Sequence, residues 1–191
     1  EPGRPEVIYA SLWQARRTPW HIYPPASGPG SGLYKSTDGG DHWTQIGVGK
    51  GLPPSPGRIG VAVAPSQPQR VYAMVDAALG GLYRSDDGGA TWAQASSDPR
   101  IWGRGWYFGG ITVEPRNPDV VYACNTALFR SEDGGKTFVP VQGAPGGDDY
   151  HVLWIDPQMP QHRMLGVYQG ALVSVDSGGT WSSWYNQPTG Q

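Results

Sequence analysis

The 191-residue chain is poor in several things that define protein classes. It has one cysteine, Cys124, so no internal disulfide can form. That residue lies in the apolar run "VVYACNT" and reads as a buried structural thiol, not a nucleophile. Charge is sparse: 14 Lys and Arg stand against 16 Asp and Glu, a net of −2. Such a balance offers no field for nucleic acid or an anionic lipid surface. No apolar run approaches the roughly 18 residues of a spanning helix, so no direct membrane insertion is expected. The first residues show no signal-peptide pattern, and no long stretch has a helical period. No cofactor is expected. Glycine and proline are plentiful, at 29 and 19 residues, near the level at which disorder becomes the default. Nine Trp and ten Tyr argue the other way, because a disordered chain does not carry so many large rings. Many turns with many aromatics suit an all-β protein of short strands.

An octet recurs. Residues 36–43 read "STDGGDHW", 85–92 "SDDGGATW", 131–138 "SEDGGKTF" and 174–181 "SVDSGGTW". The leading serines lie 49, 46 and 43 residues apart, a period that includes propeller blades among its candidates. Ahead of each octet run short segments rich in Val, Tyr and Ile ("GLYRS", "VYAMVDA", "IGVAVAPSQP"), and a brief outer segment such as "AQAS" follows. These read as four antiparallel strands per repeat. Approximate blades are 1–50, 51–98, 99–143 and 144–191, all within one unit. "EPGRPEVIYA" at 1–10 matches "EPRNPDVVYA" at 114–123, so the first blade lacks its innermost strand. Either a neighbouring segment supplies that strand or the chain is part of a larger propeller, and the second reading is favoured.

The octet has a mechanical reading. Asp38, Asp87, Asp133 and Asp176 each open a tight reversal and accept backbone N–H groups. Gly40, Gly89, Gly135 and Gly178 allow the turn, and Trp43, Trp92, Phe138 and Trp181 fold over the hairpin base. With Ser36, Ser85, Ser131 and Ser174, the pattern resembles the Asp-box, or BNR repeat, of sialidases, xyloglucan-cleaving hydrolases, sortilin ectodomains and photosystem II assembly propellers. His42 stands where the box has Thr, and Phe138 where it has Trp. The stretches "GGDDYHVLWIDP" and "SVDSGGTWSSWYNQPTGQ" are similar to those of large bacterial BNR-repeat proteins called glycosyl hydrolase-like. That resemblance implies a β-propeller, a box distant from the ligand face, and an extracytoplasmic setting.

Antiparallel succession places the box hairpins and first-to-second loops on one face, and the second-to-third loops and interblade links on the other. The long insertions all fall on the latter. They carry Trp13, Arg16, Arg17, Trp20, His21 and Tyr23, then Arg100, Trp102, Arg104, Trp106 and Tyr107, and finally Asp148, Asp149, Tyr150 and His151. Aromatics and Arg on loops of a rigid scaffold make a candidate surface for a protein partner or a glycan; packing beneath their own loops is the bland alternative.

Catalysis asks for more. Glycoside hydrolysis needs two carboxylates about 5–10 Å apart, and adjacent Asp148 and Asp149 diverge. Asp76 or Glu114 would have to approach them, and Glu114 points toward the box face. Arg100, Arg104 and Tyr107 faintly echo a sialidase. Asp148, Asp149 and His151 have only generic metal spacing, and no metal site is assigned. The expectation is therefore a non-catalytic binding or scaffolding propeller, with an accessory subunit of a larger complex, or a segment completed by the rest of its own propeller, as its two settings. The alternative is a fragment of a xyloglucanase-like or sialidase-like hydrolase whose second carboxylate lies outside this chain. For that alternative the weak catalytic candidates are Asp148, Asp149 and His151.

Overall fold

A computed structural model describes residues 1–16, 18–20, 27–143, 148–183 and 185. The first sheet holds β1 (Ile8–Leu12), β2 (Gly32–Ser36) and β3 (Thr44–Ile46). The second holds β4 (Ile59–Val63), β5 (Val71–Val75), β6 (Gly81–Ser85) and β7 (Ala93–Ser96). A single helical turn, α1 (Pro99–Trp102), leads to the third sheet of β8 (Gly110–Val113), β9 (Val121–Cys124), β10 (Leu128–Ser131) and β11 (Val139–Gln142). The fourth has β12 (Tyr150–Ile155), β13 (Arg163–Val167) and β14 (Gly170–Ser174). Every sheet runs antiparallel in chain order, and the inner strands β4, β8 and β12 lie side by side. This is a partial β-propeller of four blades.

The seams between sheets are the core. β5 is buried along its whole length, which is why "VYAMV" reads as a continuous apolar run. Its Val71, Ala73 and Val75 pack with Leu33 of the first sheet. Tyr72 and Met74 face the other way, onto Val121, Ala123 and Phe129 of the third. Tyr122 and Cys124 of β9 then meet Leu153, Leu165 and Leu172 of the fourth. Burial pushes the Cys124 thiol up to about 12.

Among the described residues the first sheet has no strand inside β1, as the register predicts. The fourth departs from expectation: among the described residues it has three strands, not four. Ser182 donates its N–H to the Val173 carbonyl at 2.9 Å, but Val173 N–H goes to the Ser182 hydroxyl at 2.9 Å. A side chain there takes the place of the carbonyl that would extend the ladder. The turn α1 falls inside a stretch expected to be loop; Asp98 caps it by accepting from Arg100 N–H, and Pro99 opens it.

The box is a clasp in all four sheets. Ser36, Ser85, Ser131 and Ser174 are buried and donate to the Asp Oδ1 atoms of Asp38, Asp87, Asp133 and Asp176 at 2.7–2.8 Å. Each hydroxyl accepts from the N–H of Gly40, Gly89, Gly135 or Gly178 at 2.8–2.9 Å. Thr91, Thr137 and Thr180 donate N–H to Oδ1 and hydroxyl to Oδ2. In the first box His42 Nδ1 lies 2.7 Å from Asp38 Oδ2, where the Thr hydroxyl sits elsewhere. Phe138 is buried without needing the indole bond that Trp43 and Trp92 make to Gly40 and Gly89 carbonyls. Each turn also docks on the first-to-second loop of its own sheet: Gly88 N–H to Gln69 O, Gly134 to Asp119 O, Ser177 to Gln161 O. The box face is therefore full of internal bonds.

Candidate functional site

The opposite face is built by the 97–109 link, the start of the fourth sheet and the β5–β6 turn. After α1 the chain turns through Gly103–Gly105, and Arg104 reaches Asp149 at 3.1 Å. The same guanidinium lies 5.5 Å from the Phe108 ring centre, and its Nε is buried without an acceptor among the described residues. A string of rings follows: Trp106 to Tyr107 at 5.6 Å, Tyr107 to Phe108 at 5.5 Å, Phe108 to His151 at 4.7 Å. Phe108 is buried, whereas Tyr107 is 55% exposed and His151 is exposed. Arg58 holds the string from below, Nη1 to Tyr107 O at 2.8 Å.

Asp149 adopts φ 48°, left-handed backbone that Asp tolerates better than most residues. Asp148 Oδ1 accepts its N–H at 2.8 Å. The two carboxylates therefore diverge: Asp148 folds back on the turn, and Asp149 meets Arg104.

Asp76 completes the site. It follows β5 and shares a small cavity with Arg58, Met74, Trp102 and Gly105. Burial raises its pKa above the usual carboxylate value, with no other cause opposing it. Gly105 packs on its Cβ, so Asp76 and Asp149 flank the adjacent residues 104 and 105. Among the described residues, no group of three or more His, Cys, Asp or Glu could hold a metal ion.

The other expected face residues scatter. Trp102 is half-buried, pressed on Gly80, and serves as a cavity wall. Arg100 turns away to Asp98 and the Phe138 carbonyl over the Phe129 ring, so it does not join Arg104 in a sialidase-like cluster. Tyr150 is a correction: it opens β12 with its ring fully buried in the third seam, and burial pushes its phenol up to about 12. Trp13 is half-buried, Arg16 is exposed and Trp20 is 79% exposed on the first sheet's long loop. Arg17, His21 and Tyr23 lie outside the described residues. Asp76 is the main residue that the sequence underrated; an acid closing an otherwise apolar second strand ("VYAMVDA") is its signal. Glu114 accepts the N–H groups of Arg116 and Asn117 in a first-to-second loop, away from this site.

Residues 83–94 match the BNR/Asp-box repeat. Among curated proteins none matches the chain. Among solved structures, an ancestral GH74 enzyme aligns with TM-score 0.56 and 20% identity over 94% of this chain and 24% of its own. The GH74 enzyme of Niastella koreensis aligns with TM-score 0.50 and 17% identity, over 80% of this chain and 34% of its own. YCF48 bound to D1 peptide gives TM-score 0.44 and 16% identity over 84% and 77%. The chain thus carries BNR/Asp-box repeats on a β-propeller fold, and spans about a quarter and about a third of the two GH74 chains.

Proposed function

We propose that these four sheets belong to a larger propeller that binds a glycan on the long-loop face. The observation carrying this is the ring string from Trp106 to His151, which leaves Tyr107 and His151 exposed beside the Arg104–Asp149 pair. Exposed planar rings stack on sugar faces, and flanking carboxylates and a guanidinium supply directional bonds to hydroxyls. A glycan ligand also suits an extracytoplasmic setting. On a glycan array, wild type should bind at least one glycan, Tyr107→Ala should weaken that binding about tenfold or more, and Arg100→Ala should leave it intact. Binding unchanged in Tyr107→Ala overturns this site, and a blank array with capture of a defined peptide favours a protein ligand instead.

A second reading has its own observation. Asp76 lines a small cavity beside Gly105 and burial raises its pKa, the environment of a hydrolytic general acid, with the Asp149 carboxylate held by Arg104 as a second acidic group. Asp76→Asn separates the two: binding kept with hydrolysis lost supports an enzyme, and binding kept with no hydrolysis in either form supports a binding module.

A further inference from the structure

The three internal seams share one device. On the second strand of each sheet a tyrosine stands in register with a cation on the third: Tyr9 with Lys35, Tyr72 with Arg84, Tyr122 with Arg130. Each tyrosine reaches polar groups of the following sheet. Tyr9 hydroxyl and Lys35 Nζ both donate to Gly88 O, at 2.9 and 2.8 Å. Tyr72 donates to Pro118 O at 2.8 Å, with Arg84 against Gly134. Tyr122 accepts from Arg163 Nη1 at 2.7 Å.

In the fourth sheet the matching positions are Met164 and Val173, in register with Trp154 on β12. With Val152 they make an apolar face that no other sheet covers among the described residues: Trp154 is 48%, Met164 49%, Val173 45% and Val152 58% exposed. The inner-strand residue changes in step, from Ala62 and Thr112 at the second and third sheets to Trp154. Two positions thus exchange a polar clamp for apolar side chains, and a third, on the inner strand, gains bulk.

We infer that this face seats a further β-sheet, contributed by polypeptide outside residues 1–191, across an apolar seam with no tyrosine–cation clamp. The inference rests on the larger-propeller reading above. The face is the next member of a series whose three earlier members are each covered by a following sheet. The ancestral GH74 structure also runs well beyond the length matched, since the chain covers 24% of it. The sheet that lands here meets Trp154 and Met164 flush, with neither a tyrosine hydroxyl nor a cation at the clamp positions to reach one of its turn carbonyls.

Two methionines of one hairpin make the test internal. Met159, in the β12–β13 turn on the box face, is 45% exposed, close to Met164 at 49%. Sulfoxide formation follows exposure, so in the native polypeptide carrying these residues Met164 should oxidise about tenfold more slowly than Met159 at every dilution. The double variant Met164→Tyr with Val173→Arg, which installs the clamp, should lower the melting temperature and raise oxidation of Trp154. Equal rates for the two methionines overturn both the covered face and the larger propeller. Protection that fades on dilution means a second copy covers the face, and overturns the assignment to the same polypeptide. Lasting protection with an unharmed double variant leaves the larger propeller standing and overturns the apolar seam.

Discussion

Ser85 shows how one residue holds a turn. Its hydroxyl is buried, donates to Asp87 Oδ1 at 2.7 Å and accepts from Gly89 N–H at 2.8 Å. Alanine there leaves a buried N–H without a partner and frees one side of the carboxylate. Ser85→Ala should cost about 1–3 kcal/mol in urea unfolding, with an unchanged slope. A loss below a few tenths would mean water replaces the hydroxyl. The box residues were legible because every bond closes within one octet. Asp76 and Tyr150 were not, because their burial is imposed from afar: Gly105 and Trp102 arrive on Asp76 from the next link, and the third sheet covers Tyr150.

At the scale of elements, the strands repeat but the links differ, and the links hold the sheets in place. The link after β3 passes Gly51 at φ 108°, where an added Cβ would run into the Trp92 backbone carbonyl. Lys50 O also accepts the Trp92 N–H at 2.8 Å, so the link is fastened to the second sheet's box. Gly39 has φ 77° with nothing within 4 Å of its would-be Cβ. Gly39→Ala should therefore cost only the left-handed penalty of about 1 kcal/mol. Gly51→Ala carries the same penalty plus a backbone collision that no rotamer relieves, and should melt clearly lower. Equal melting temperatures would show that the link moves freely. Strand order could be read from four aligned octets, and the missing inner strand of the first sheet from the match of residues 1–10 with 114–123. The turn α1 is too short to show a period, although Asp98 before Pro99 is a capping signal. The missing ladder at Ser182 depends on which oxygen of one serine accepts a bond, and composition does not encode that.

At the scale of the whole molecule, four equal clasps make stability depend on acid. Asp87 is brought down to about 2, first by the Thr91 hydroxyl and then by its N–H. Asp176 is brought down to about 2, first by the Thr180 N–H and then by its hydroxyl. Asp38 is lowered by the His42 N–H and the Ser36 hydroxyl. Burial opposes the shift at Asp133, where the Thr137 bonds nonetheless win. A carboxylate whose folded pKa lies below its unfolded value of 3.8 stabilises the fold above that pH. The contribution is lost as pH falls from 3.8 toward about 2, where Asp87 and Asp176 take up protons. Because all four clasp carboxylates are lowered and two of them take up protons in that window, urea midpoints should drop across it. Asp76 has the opposite sign: its folded pKa is raised, so its ionised form is a burden that sets in as pH rises past 3.8. Asp76→Asn should therefore raise the midpoint near neutral pH and leave the acid limb in place, whereas Asp87→Asn should lower the neutral plateau and make the acid limb shallower. Midpoints that stay flat from pH 4 to 2 would mean that the clasps persist in their protonated form, and that hydrogen bonds between neutral groups hold the blades.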